Sequence, residues 1–269
     1  MKDIEGRVTV VTGAASGIGR ALAVRLAAEG CALALADLDE AGLDETVKQA
    51  GNPPRRLTAH RVDVADRDRV HAFAEEVVQA HGRVDIVINN AGVTLRETIE
   101  DATYDDIEWI LGINLWGVIH GSKAFLPHLR QRSEANLVNV SSVHGLFTNR
   151  NVGLYCTSKF AVRGFTMALA QELKDTPVRV SCVHPGGIKT DIVRRGRFRK
   201  GSDPTMTHDE AAERFDRYIA WTSAERAARI IIRGIRKDKP RIRVGPDAVI
   251  YDLASRLAPA TWQKLMSRL

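Results

Sequence analysis

Tyr155 and Lys159 stand four residues apart in the run Tyr155-Cys156-Thr157-Ser158-Lys159. On a helix that spacing puts a phenol and an ammonium on one face. A free phenol titrates near about 10, too high for a base at neutral pH, and a neighbouring ammonium favours the phenolate. The pair is therefore a candidate proton donor and acceptor, with Tyr155 moving the proton and Lys159 tuning it. On an ordinary exposed helix the same two residues would do no chemistry. Upstream, Ser141-Ser142 ends the run Val138-Asn139-Val140, with Ser142 13 residues before Tyr155. Strand alternation sends the two hydroxyls to opposite faces, so one of them can meet Tyr155.

A second constellation lies at the start of the chain. Thr12-Gly13-Ala14-Ala15-Ser16-Gly17-Ile18-Gly19 follows the apolar Val8 to Val11 and leads into Ala21, Leu22, Val24 and Leu26 at helical spacing. A chain that leaves a strand and starts a helix beneath a pyrophosphate needs positions without Cβ, so that N–H groups and the positive helix end approach the anion. The spacing is G-x-x-x-G-x-G rather than G-x-G-x-x-G, and a plain strand-to-helix connection can also be glycine-rich. Asp37 ends the next apolar run, 18 residues past Gly19. A carboxylate there can accept both hydroxyls of an adenosine ribose, which marks a dinucleotide site. It would repel a 2′-phosphate, so NAD is favoured over NADP. Ser16 and Leu38 offer no cation for that phosphate, whereas Arg20 keeps NADP open. Asp37 could instead cap the following turn with Asp39.

These groups need a scaffold. Short apolar runs (Val8 to Val11, Cys31 to Ala36, Val84 to Ile88, Asn136 to Val140, Val178 to Val183) alternate with helical patterns. Continuous apolar strands of this kind are buried on both faces of a parallel sheet, so a doubly wound α/β domain is expected. Arg56 to Val62 suits a third strand, Asp209 to Trp221 and Ala224 to Arg236 read as helices, Arg241 to Val244 as a last strand, and Tyr251 to Leu269 as a helical tail. The 269 residues carry 39 Lys and Arg against 33 Asp and Glu. Residues 194–243 hold 15 cations against 7 anions and the remainder 24 against 26, so the basicity is regional. It centres on Arg194-Arg195-Gly196-Arg197-Phe198-Arg199-Lys200, which reads as an inserted loop. The region lacks interleaved aromatics beyond Phe198 and Phe215, so a nucleic-acid surface is not expected. Cys31, Cys156 and Cys182 form neither a disulfide framework nor a zinc site, so no metal is expected. Charges in Met1 to Gly6 leave no export signal, and no apolar run reaches the roughly 18 residues of a membrane span. A cytoplasmic protein without a membrane span is expected.

Asn89-Asn90-Ala91-Gly92, Tyr155 to Lys159 and Pro185-Gly186, in order after the glycine turn, make residues 4–191 resemble the short-chain dehydrogenases/reductases. That resemblance implies a single Rossmann-type domain, a three-layer α/β/α sandwich on about seven parallel strands, assembled as a homotetramer or homodimer. It implies hydride transfer between NAD(P) and an alcohol or ketone. By resemblance Ser142 binds the substrate oxygen, Tyr155 is the acid/base, Lys159 also holds the nicotinamide ribose, and Asn114 supports a water leading to solvent. Thr12, Gly13, Ser16, Gly17, Ile18 and Gly19 cradle the pyrophosphate, and Asp63 and Val64 meet adenine. Asn90, Ala91 and Gly92 line the adenosine side. Pro185, Gly186, Ile188 and Thr190 lie under the nicotinamide. The cofactor domain should span about 1–250, with a substrate lid at about 191–222 and a tail at 251–269. His144 and Leu146, with Val143, Phe147 and Leu154, would wall a pocket for a moderately hydrophobic small molecule. His144 and His184 carry structural or pocket roles, and Cys156 packs. The lid arginines are either a solvated face or an attractor for an anionic substrate. A catalytically silent NAD(H)-sensing protein would need a missing catalytic residue, and none is missing.

Overall fold

The computed structural model describes residues 1–51, 55–199 and 206–266. In chain order the elements are β1 (Val8–Thr12), α1 (Gly17–Ala28), β2 (Ala32–Asp37), α2 (Glu40–Ala50), β3 (Leu57–Arg61), α3 (Arg67–His81), β4 (Ile86–Asn89), β5 (Leu95–Arg96), α4 (Tyr104–Leu111), α5 (Gly117–Arg130) and β6 (Ala135–Val140). They continue as α6 (Gly153–Glu172), β7 (Val178–Pro185), β8 (Ile188–Lys189), β9 (Arg197–Phe198), α7 (His208–Tyr218), β10 (Thr222–Ser223), α8 (Ala224–Arg236), β11 (Arg241–Val244), α9 (Pro246–Leu257) and α10 (Pro259–Met266).

Seven strands form one sheet in the order β11-β7-β6-β4-β1-β2-β3, and every neighbouring pair is parallel. Every residue of β1, β4 and β6 is buried, whereas β3, at the edge, has only part-buried and exposed residues. The apolar runs therefore have the double-faced burial expected of central strands. One core face joins Leu22 and Leu26 of α1 to Ile231 and Ile235 of α8. The other joins Phe73 of α3, Phe125 of α5 and Leu169 of α6. Helix starts are marked by side chains that accept orphan N–H groups: Asp39 from Gly42, Asp66 from Arg69, and Ser223 from Arg226. Thr207 and Glu210 form a reciprocal capping box at the start of α7.

The strand order reverses between β1 and β4, which opens a crevice at the carboxyl ends of the sheet where ligands bind in such folds. The glycine turn, Asn90, Ser142 and Pro185 all leave strands at that edge. Some boundaries differ from the expectation. β3 ends at Arg61, α7 stops at Tyr218, and the tail helix starts at Pro246, whose fixed φ suits a first helical position. Before α5 the chain makes a π-helical turn at Gly112–Trp116, a distortion that helical periodicity does not announce.

The segment after β8 is tied to the body at several points. β8 pairs with β10, and β9 pairs with β5. Arg197 Nη1 lies 2.8 Å and Arg199 Nη2 3.0 Å from the buried Asp106 carboxylate. Arg194 pairs with Asp216 and Arg195 with Asp39. Lys200 lies outside the described residues. The arginines from 194 to 199 are thus held by carboxylates of the same chain.

Candidate active site and cofactor cleft

At the end of β1 the backbone enters φ values of +67° at Gly13 and +53° at Gly17, which residues with side chains rarely adopt. A side chain at Gly19 would collide with the Gly13 carbonyl oxygen, and one at Gly13 would stand 2.7 Å from Ala91 Cα. The turn is thereby pressed against β4. Asn90 Nδ2 donates to the carbonyls of Thr12 (2.9 Å) and Gly13 (3.3 Å). The Thr12 hydroxyl accepts from the N–H groups of Asn90 and Ala91. Ser16 precedes α1 in extended conformation and makes no side-chain cap, so it takes up none of the first-turn N–H groups of α1.

Asp37 closes the far end of the crevice. One carboxylate oxygen accepts from Ala15 N–H (2.9 Å) and the other from Asp39 N–H (3.1 Å), so the residue braces the turn while staying partly open to solvent. Arg20 is spent beneath the turn, where it donates to Thr46 Oγ1, the Gly42 carbonyl and the Ala15 carbonyl. Asp63 is exposed after β3, and buried Val64 packs on Gly117. Across the crevice Thr190 rests on Gly17, a position where a Cβ would come 3.1 Å from its methyl group. Gly187 N–H donates to Asp247 Oδ2 at 2.6 Å, and Gly186 has no room for a side chain because that carboxylate fills it. Asp247 is a positioning group that local sequence reading missed. The signal was Gly245-Pro246-Asp247 at a helix start, but its target lies 60 residues away. A glycine cradle under a positive helix end, with a ribose-height carboxylate opposite, fits a nicotinamide dinucleotide.

The two serines part company. Ser141 donates its hydroxyl to the Lys159 carbonyl at 2.8 Å, while the Ser142 hydroxyl accepts from His144 N–H at 3.1 Å and faces the Tyr155 phenol. Burial pushes the Tyr155 phenol up to about 12, and the neighbouring Ser142 side chain opposes that rise. Burial pulls the Lys159 ammonium down to about 8. Its Nζ donates to the Val140 carbonyl at 3.2 Å and sits 5.7 Å from the Tyr155 ring centre. Gly92 leaves room for it, since a Cβ there would lie 3.2 Å from Nζ and 3.1 Å from Asn114 Oδ1. Asn114 spends its amide on the main chain of Val93, in both directions, and on Ser158. Its side chain therefore fixes the strand exit beside Lys159.

His144 stands edge-on to Tyr155 with ring centres 5.7 Å apart, and burial holds its imidazole down at about 4. Leu146 and Phe147 are buried beside it, and Phe147 packs on Tyr251 (4.7 Å) and Trp262 (6.2 Å) from the tail. Cys156 packs against His144, its thiol raised by burial and far from a reactive thiolate.

The family model for short chain dehydrogenases matches residues 7–200. A protein of Mycobacterium tuberculosis bearing the oxidoreductase name SadH is 42% identical over 269 residues, 99% of this chain and 96% of its own length. The 3-oxoacyl-[acyl-carrier-protein] reductase FabG of Thermotoga maritima is 35% identical over 71% of this chain and 78% of its own. Among solved structures, a short-chain dehydrogenase/reductase from Burkholderia phymatum in complex with NAD superposes with a TM-score of 0.87 at 30% identity, covering 98% of this chain and 97% of that one. With the seven-stranded parallel sheet already in view, the chain belongs to the short-chain dehydrogenase/reductase family of oxidoreductases.

Proposed function

We propose that the protein transfers hydride between NAD(H) and a moderately hydrophobic secondary alcohol or ketone, with Tyr155 as the acid/base. The observation that carries this reading is the convergence of the Ser142 hydroxyl, the Tyr155 phenol and the Lys159 ammonium, with Gly92 leaving room beside the ammonium. The bound nicotinamide would supply or accept the hydride. Ser142 orients the substrate oxygen, and Tyr155 gives it a proton in reduction or takes one from the alcohol in oxidation. Lys159 lies close enough to favour the phenolate electrostatically, and an oxidised nicotinamide adds a second positive charge. Asn114 holds Val93 and Ser158 so that Lys159 and Gly92 keep their places.

Asp37 and the inward-tied Arg20 support NAD over NADP. Thr12, Gly13, Ser16, Gly17, Ile18 and Gly19 would hold the pyrophosphate, and Asp63, Val64, Asn90, Ala91 and Gly92 the adenosine side. Pro185, Gly186, Ile188 and Thr190 would hold the nicotinamide, and His144 and Leu146 would flank the substrate. We assign the working form to a cytoplasmic homotetramer. Among the described residues no helix is long and apolar enough to cross a membrane. The test is a panel of secondary alcohols and ketones followed at 340 nm with NAD(H) and NADP(H). Turnover with a higher kcat/KM for NAD(H) is expected. Cofactor-induced melting shifts without turnover on any substrate would instead mark a silent NAD(H)-binding protein.

A further inference from the structure

β6 and β7 run as a parallel ladder until Ser141 N–H donates to the Val183 carbonyl at 2.8 Å. Two residues further along β7 stands Pro185, which has no N–H to continue it. The chain leaves the sheet there and enters the short 3-10 turn Val143–Gly145. Ser142 therefore sits where main-chain pairing has run out, although its hydroxyl must be aimed at Tyr155. The His184 side chain fills that gap. His184 is fully buried, and its Nδ1 lies 3.0 Å from the Ser142 carbonyl oxygen, which also accepts from Gly145 N–H at 3.0 Å.

We infer that His184 is a positioning residue for the reaction, its Nδ1–H clamping the Ser142 carbonyl so that the Ser142 hydroxyl stays on the substrate oxygen and Tyr155. This rests on the role proposed above for Ser142. A carbonyl can only accept, so the proton must reside on Nδ1. The charged groups facing the ring are Arg163 from α6, Arg241 from β11 and Asp252 from α9. Burial outweighs them and holds the imidazole down at about 4, so the ring is neutral through the physiological range. Nε2 is buried without a hydrogen-bond partner among the described residues. A purely packing residue would be cheaper as an apolar side chain, because an unpaired buried acceptor destabilises the fold. The Nδ1 contact offsets that cost only if the position of Ser142 matters.

The experiment has two arms. The 15N-resolved imidazole spectrum of the full chain, with His184 assigned by its loss in His184→Asn, should show a neutral ring protonated at Nδ1 from pH 5.5 to pH 8. Protonation at Nε2 would overturn the inference whatever the activity. In kinetics with the best ketone of the panel, His184→Phe should lower kcat by about 10²-fold, the scale of a small misplacement, with little change in NADH affinity by fluorescence. His184→Asn, whose Nδ2–H can occupy the Nδ1–H position, should recover most of the loss. In the Ser142→Ala background His184→Phe should cost almost nothing more. Additive losses, or failure of Asn to rescue a folded variant, would show that His184 does not act through Ser142. Unchanged turnover in Ser142→Ala would instead strike the role of Ser142 itself.

Discussion

Lys159 carries a cost that its chemistry explains. Its ammonium is buried and donates to the Val140 carbonyl, and burial brings its titration down from the ordinary 10.5 to about 8. Between those values the unfolded chain binds a proton that the folded chain does not, so this group's contribution to stability rises with pH from about 8 to 10.5 and is at its worst below 8. Lys159→Met should therefore raise the melting temperature of the cofactor-free protein at pH 7 by several degrees, a gain that shrinks as the melts are repeated toward pH 10.5. It should also abolish turnover and weaken NAD binding. A lower melting temperature at pH 7 would mean that the ammonium is better paired than its surroundings indicate. Tyr155 makes the complementary case. Tyr155→Phe should lose several orders of magnitude in kcat while NADH affinity by fluorescence titration stays nearly intact, since only the transferable proton is removed. Because burial pushes the phenol up to about 12, it is the acid form at neutral pH in the empty site. Ketone reduction should hold its rate at neutral pH, whereas alcohol oxidation should climb with pH until the phenolate forms. Parallel initial-rate profiles in the two directions test this.

The segment after β8 shows how far local sequence carries and where it stops. The bounds of α8 and β11 are the ones their apolar spacing indicates, and the glycine turn is legible because no other residue type tolerates its dihedral angles and contacts. The destinations of the arginines between 194 and 199 are not legible in the same way. Arg197 and Arg199 meet Asp106 across 91 and 93 residues, and Asp247 reaches Gly187 across 60. Neither relation leaves a period or a motif in the chain, since each arises only when the sheet is assembled. Read as a string, Arg194 to Arg199 looks like a free basic loop; in the fold its cations have partners. Asp106 is almost fully buried, its N–H donates to the capping Thr103 hydroxyl, and its carboxylate carries two guanidinium groups. Asp106→Ala should leave the core intact but free the β9 strand from α4. Limited trypsin digestion should then cut after Arg197 or Arg199 several times faster than in the wild type, with unchanged far-UV circular dichroism. Equal cleavage rates would show that the remaining ties of the segment, the β5–β9 pairing among them, hold β9 without Asp106.

At the scale of the whole molecule, the helices that cover the sheet leave one face unfinished. On α6, Phe160 is 37% and Met167 44% exposed, at a spacing that puts both on one side with Gly164 between them. A Cβ at Gly164 would meet nothing within 4 Å, so the helix backbone itself is accessible there. Trp116, 51% exposed, sits on the π-helical turn that packs against α6. Large apolar side chains flanking a bare glycine are poorly placed in water and well placed for the close approach of another helix. A second copy of α6 related by a two-fold axis would supply it, because a two-fold contact brings a patch onto itself. The same helix carries Tyr155 and Lys159 on its buried side, so pairing at Phe160 and Met167 would also stiffen the element that aims the phenol. Light scattering at micromolar concentration should accordingly give a mass well above the 29.6 kDa of one chain. Met167→Glu, which buries a charge in each half of such a contact, should shift the mass to that of the monomer. It should lower kcat more than NADH affinity, since the cofactor cradle is built from other elements. A Met167→Glu protein that keeps its oligomeric mass would place the contact elsewhere on the surface, and a wild-type monomer would remove it altogether.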